Sequence, residues 1–243
     1  MRPLVAAALL LLAGAALAQT NAPAPQRCVT PVARDGKAHD RFLTINQRVK
    51  ETGEQAELIF VGDSITQGWE GNGKEVWEKY YAPRHALNLG ISSDRTEHVL
   101  WRLENGNLDG LKPKVAVVLI GVNNVPDTNN TPHDVLLGVT AVVKALREKL
   151  PDTKVLLLGI FPFRRDFCEQ RGKALQVNQA LRKLDDGQSV RFLDIGDIFI
   201  QPDGTISKDI MRDYLHPTAK GYRLWAEAIE PELSAMLGEK PIK

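Results

Sequence analysis

Five short apolar runs punctuate the chain, at 58–61, 86–89, 115–120, 155–160 and 192–195. Continuous apolar runs of this length fit strands buried on both faces, and 86–89 is the weakest of them. Between them, apolar residues recur at three- and four-residue steps. Val135, Val139, Val142, Leu146 and Leu150 form one such stripe, and Val177, Leu181 and Leu184 another. Tyr222, Trp225, Ile229, Leu233 and Met236 form a third. These spacings predict amphipathic helices whose stripes pack into a core. Pro231 falls inside the last helix and is expected to kink or divide it. Strand–helix alternation predicts right-handed crossovers, hence an α/β fold with a parallel sheet and helices on both faces. No repeat, low-complexity block or second domain interrupts the pattern.

In such a sheet the ligand crevice lies beyond the carboxyl ends of the strands, so the residues after each strand carry the chemistry. Gly62-Asp63-Ser64 follows the first run, Gly90-Ile91-Ser92-Ser93-Asp94 the second, and Gly121-Val122-Asn123-Asn124 the third. Asp213-Tyr214-Leu215-His216-Pro217 lies beyond the fifth, ahead of the last helix. Acyl transfer needs these parts. A serine hydroxyl is a poor nucleophile until a base takes its proton. His216 can be that base, and Asp213 can accept from its other ring nitrogen and fix the tautomer. Pro217 suits a first helical position, which would leave His216 just outside the helix. The amides of Ser64 and of the second loop, with the Asn123 side chain, can serve an oxyanion. Each residue has a plainer reading alone. Ser64 could cap a helix, Asn123 could sit in a turn, and Asp213 and His216 could be surface residues. Their joint arrival at strand ends favours the chemical reading.

Charge narrows the classes. Lysine plus arginine is 31 against 30 acidic residues, a formal net charge of +1, with 25% charged and 43% hydrophobic residues. That balance argues against an electrostatically driven nucleic-acid binder and against an acidic disordered tail. The start of the chain reads as a secretory leader. Arg2 precedes an apolar run at 4–13, and Ala16-Leu17-Ala18 offers a small-x-small cleavage site. The run is too short to span a bilayer, so no stable membrane insertion is expected after cleavage. Without Arg2 the basic and acidic counts are both 30. Export, to a periplasmic or secreted location, would permit a disulfide between Cys28 and Cys168, and two unrelated thiols fit equally well. Residues 19–39, with Pro23, Pro25 and Pro31, read as an arm or linker.

The ordered blocks resemble the SGNH, or GDSL, hydrolases. Within that family they are similar to the branch of platelet-activating-factor acetylhydrolase catalytic subunits and their bacterial relatives. The supporting stretches are Phe60-Val61-Gly62-Asp63-Ser64, His85-Ala86-Leu87-Asn88-Leu89-Gly90-Ile91 and His98-Val99-Leu100-Trp101-Arg102-Leu103-Glu104-Asn105-Gly106. Lys112-Pro113-Lys114-Val115, Gly121-Val122-Asn123-Asn124 and Asp213-Tyr214-Leu215-His216 complete the set. The resemblance covers roughly residues 40–237 and gives a hydrolase domain at 40–238 with a short tail at 239–243. It implies a flavodoxin-like three-layer α/β/α sandwich with a five-stranded parallel sheet. It also implies hydrolysis of small esters without metal or cofactor. By position it makes Ser64 the nucleophile, His216 the base, Asp213 its partner, and Asn123 an oxyanion donor. Subunits of the resembled branch pair as dimers, which leaves a homodimer open here. One departure stands out. Ser93 occupies the place of a family glycine whose amide serves the oxyanion hole. A serine keeps the N–H, but it would be strained if the position needs positive φ.

The expected function is therefore an exported serine esterase removing short acyl groups, acetyl foremost, with O-acetylated carbohydrate as a candidate substrate. The alternative, motivated by Ser93, is a noncatalytic carbohydrate- or peptide-binding protein on the same fold. Trp69, Phe161 and Phe163 lie near strand ends and could line the acyl or alcohol pocket or simply pack. The loop after the fourth strand, with Arg164, Arg165 and Cys168, could shape its entrance. Gly68 to Lys74 spells G-x-x-x-x-G-K, but Glu75 stands where a phosphate loop needs Ser or Thr. The five histidines and two cysteines show no metal-ligand spacing.

Overall fold

The computed structural model describes residues 27–243. The expected leader at 1–18 lies outside the described residues, as does the first part of the expected arm. The chain proceeds through α1 (Lys37–Thr52), β1 (Leu58–Gly62), α2 (Ser64–Gln67), α3 (Lys74–Tyr80), β2 (Ala86–Asn88), α4 (Thr96–Glu104) and β3 (Val115–Leu119). It continues through α5 (Pro132–Lys149), β4 (Lys154–Leu158), α6 (Glu169–Leu181), β5 (Val190–Leu193) and α7 (Ala219–Leu237). The five strands form one parallel sheet in the order β2-β1-β3-β4-β5. Helices α4, α5 and α6 pack side by side on one face, and α3 meets α7 on the other. α1 joins the first group through Phe42 and Trp101, whose rings lie 5.0 Å apart. The expected three-layer α/β/α sandwich is therefore present.

Burial explains the strands. Every residue of β1 and β3 is buried, so the central strands present apolar side chains to both helical layers. β1 and β3 pair in step from Leu58 with Val115 to Gly62 with Leu119. Their connections leave in opposite directions along the sheet, which makes the gap above them the switch point where crevices form. The chain after Gly62 and the chain after Leu119 thus emerge side by side.

Several details depart from the sequence expectation. The fifth strand begins two residues earlier than expected and ends at Leu193. Asp194 leaves the ladder because its carboxylate accepts from the Gly196 N–H and from the Asn178 amide. α7 runs through Pro231 undivided. The carbonyl that loses its partner belongs to Glu227, on the exposed side of the helix. Pro217 is not the first helical residue, because Thr218 caps α7 by accepting from the Gly221 N–H.

The expected boundary at residue 39 falls inside α1, and folded structure begins earlier. Cys28 is buried, its carbonyl accepts from Thr96 Oγ1 at 2.8 Å, and the Val32 N–H donates to Glu97 O at 3.1 Å. The residues after α7 are also tied down. Glu239 meets Arg84, and the Ile242 N–H donates to Glu230, which is itself paired with Arg84. Cys28 and Cys168 are both free thiols, and burial pushes the Cys28 thiol up. Among the described residues, no helix is long and apolar enough to cross a membrane.

Candidate active site

Ser64 sits at the first turn of α2, immediately beyond β1. Asp63 caps that helix by accepting from the Ile65 N–H at 2.9 Å, so the cap does not consume the Ser64 hydroxyl. The turn is tight. A Cβ on Gly62 would collide with the Thr66 side chain and the Leu119 carbonyl, and only glycine lets β1, β3 and α2 approach so closely. The Ser64 amide lies in the first turn, where a helix leaves N–H groups without internal acceptors.

His216 reaches Ser64 from the far end of the chain. Ser64 Oγ stands 2.9 Å from His216 Nε2, and His216 Nδ1 stands 2.7 Å from Asp213 Oδ2. Asp213 Oδ1 accepts from the N–H groups of His216 and Leu215 at 2.8 and 3.2 Å. A short antiparallel bridge between Met211 and Pro217 closes this turn, and the Arg212 N–H donates to His216 O. Partial burial raises the Asp213 carboxyl, but the hydrogen bonds from His216 and Leu215 outweigh it and hold it below its ordinary value. An ionised Asp213 only accepts, so Nδ1 carries the ring proton and Nε2 is left to accept from Ser64.

Asn123 lies beyond β3. Its Nδ2 donates to Asp94 O at 2.9 Å and lies 3.4 Å from Asp63 Oδ2, so one amide hydrogen is fixed and the other is loosely engaged. Asp63 is fully buried, and burial pushes its carboxyl up to about 7 against the Ile65 N–H and Arg102, which favour the charge.

Ser93 is exposed and has φ of +62°, in the left-handed region. The strain expected of a serine in the glycine's place is therefore present. The Ser93 amide has no protein acceptor among the described residues. The loop is anchored on both sides, by the Ile91 N–H on Gly62 O and by Asp94 O on Asn123.

A cavity of about 260 Å³ adjoins the constellation, lined by Asn123, Phe163, Arg164, Asp213, Tyr214 and Leu215 among others. Phe163 borders this cavity and is also buried in the core. Trp69 does not border the cavity. It is wholly buried, 4.5 Å from the Tyr222 ring and 4.8 Å from the Trp225 ring, because the turn at 68–70 folds it back over β1. Phe161 likewise packs against Phe199 and Trp225. Arg164 and Tyr214, both at positive φ, are joined by the Arg164 N–H donating to Tyr214 O at 2.8 Å. A hollow of about 290 Å³ beyond β4 and β5 shares no lining residue with this cavity.

Sequence reading passed over the ionic layer beneath the site. Arg102, fully buried, donates to Asp94 Oδ2, Asn107 Oδ1 and Gly62 O at 2.8, 2.8 and 2.9 Å. It thereby joins the end of β1 to the loop holding Ser93. Arg102 stood inside one of the quoted family stretches, but nothing in its spacing marked its partners. The whole can pass a proton from a hydroxyl to an imidazole beside a cavity that Asn123 lines.

The chain matches the GDSL-like lipase/acylhydrolase family over residues 60–224. It is 36% identical over 212 residues to the platelet-activating factor acetylhydrolase IB subunit alpha2 of Rattus norvegicus, covering 86% of this chain and 90% of that protein. Among solved structures, a GDSL-like lipase from Bacteroides thetaiotaomicron superposes with a TM-score of 0.64 at 16% identity, over 80% of this chain and 98% of that one. A carbohydrate acetylesterase from Sinorhizobium meliloti superposes with a TM-score of 0.59 at 18% identity, over 74% and 98%. At such identities these two structures speak to the fold alone.

Proposed function

The chain belongs to the GDSL-like lipase/acylhydrolase family and is a carboxylic ester hydrolase, and on that premise we propose that it removes short acyl groups through a Ser64–His216–Asp213 acyl-enzyme mechanism. Ser64 Oγ attacks the ester carbonyl while His216 Nε2 takes its proton, and Asp213 stabilises the imidazolium. The carbonyl oxygen becomes an oxyanion, received by the amides of Ser64 and Ser93 and by Asn123 Nδ2. The intermediate collapses, the C–O bond to the alcohol breaks, and the alcohol leaves with the proton from His216. Water then attacks the acyl-enzyme with His216 as base, releasing the acid and restoring Ser64.

The observation that carries this reading is the pair of contacts at His216, 2.9 Å to Ser64 Oγ and 2.7 Å to Asp213 Oδ2. The modest cavity beside them suits a short acyl group, acetyl first. O-Acetylated carbohydrate is the proposed substrate class. The near-neutral charge and the leader-like start favour an exported enzyme meeting such material outside the cytoplasm. The noncatalytic alternative, motivated by the strained backbone at Ser93, predicts no Ser64-dependent turnover. p-Nitrophenyl acetate turnover by wild type, Ser64→Ala and His216→Ala tests the mechanism. Loss of at least about 10³-fold in both variants is expected, and equal rates in all three would defeat it.

A further inference from the structure

Arg34 lies in the segment before α1, ahead of residues 60–224. Its Nη1 donates to Ser92 O at 2.6 Å and to Asp94 Oδ1 at 3.0 Å. The Ser92 carbonyl and the Ser93 N–H belong to one planar trans peptide and point in opposite directions. A donor holding that carbonyl therefore sets the direction of that N–H. The held orientation is the one in which Ser93 has φ of +62°. A flip of this peptide would relieve the left-handed strain and turn the N–H away from its present direction. For a non-glycine residue the left-handed conformation is disfavoured by about five- to thirtyfold.

We propose that Arg34 is a positioning residue: it locks the Ser92–Ser93 peptide so that the Ser93 N–H stays available as an oxyanion donor. The segment before α1 thus supplies what a glycine at 93 would need less. The segment is itself fixed, by Thr96 Oγ1 on Cys28 O and by the Val32 N–H on Glu97 O, both at the start of α4. Arg102 holds the other oxygen of Asp94, so the loop is gripped from outside by Arg34 and from inside by Arg102. The inference rests on the proposed hydrolytic mechanism, with Ser93 as a donor.

The test is a double-mutant cycle on the full chain, read as kcat and KM for p-nitrophenyl acetate, with thermal midpoints and Ser64→Ala as control. Arg34→Ala should lower kcat about tenfold, leave KM within about twofold and keep the fold. Arg34→Lys, which can still reach the Ser92 carbonyl, should recover part of the loss. In the Ser93→Gly background, Arg34→Ala should change kcat by less than about threefold, because glycine adopts the left-handed conformation without strain. A Ser64-dependent activity that ignores Arg34→Ala overturns the proposal. So does a loss of equal size in the serine and glycine backgrounds, which would mark a merely structural arginine. Turnover that survives Ser64→Ala would instead reject the mechanism on which the proposal stands.

Discussion

Arg102 Nε donates to Asp94 Oδ2 at 2.8 Å, and both side chains are 2% exposed. Two ions so deeply buried are tolerable only because every side has a partner: Asn107 and Gly62 O complete Arg102, and Arg34 takes the second oxygen of Asp94. Removing one ion leaves the other without its main counter-charge. Arg102→Met is expected to destabilise the protein by about 3 kcal/mol or more, measured by urea unfolding at pH 7. A change below about 1 kcal/mol would show that the pair is dispensable.

Asp63 gives a pH signature. In the unfolded chain its carboxyl ionises near 3.8, and in the fold burial pushes it up to about 7. Between those values the folded state binds more protons, so stability falls as pH rises and the loss is complete above about 7. Asp63→Asn cannot titrate. Relative to the variant, the wild type should lose stability from pH 4 to 7, by ~4 kcal/mol at most. Denaturation curves at pH 5, 6, 7 and 8 check this, and parallel pH dependences would contradict it.

Ser93→Gly removes a left-handed non-glycine residue without touching a core contact, since Ser93 is exposed. The variant should gain about 1 kcal/mol of stability, with kcat equal to or above wild type. A destabilised variant in thermal or urea unfolding would mean that the serine side chain makes a contribution larger than its strain.

Asn123→Ala deletes a proposed oxyanion donor and also the amide that holds Asp94 O. A fall of about 10²–10³ in kcat with little change in KM is expected. A rise in KM alone would reassign Asn123 to substrate binding.

The sheet and its site were legible because continuous apolar runs end in short polar motifs, and the topology carries those motifs to one edge. The parts that were not legible have physical reasons. β5 is an edge strand, only partly buried, and Arg191 breaks its apolar run. Its start is set by Asp185 and Asp186, whose carboxylates collect the N–H groups of Val190 and Phe192. Trp69 follows a strand end like a pocket residue, but three-residue helical steps turn its ring inward. The segment around Cys28 and Val32 is held largely through backbone groups, which leave no side-chain pattern to read. Arg34 acts on Ser92 and Asp94, 58 and 60 residues away, and Arg102 reaches back to Gly62 O, so only coordinates reveal these partners. The left-handed backbone at Ser93 was foreseeable solely through the family resemblance, which implies a glycine at that position.

The most direct measurement is covalent labelling with a fluorophosphonate, followed by peptide mapping of the modified residue. A nucleophile activated by His216 reacts whatever the natural ester is. One adduct on Ser64 is expected, absent in Ser64→Ala and strongly slowed in His216→Ala. Labelling elsewhere, or none on a folded wild-type chain, would contradict the assignment of Ser64 as the acyl-accepting hydroxyl.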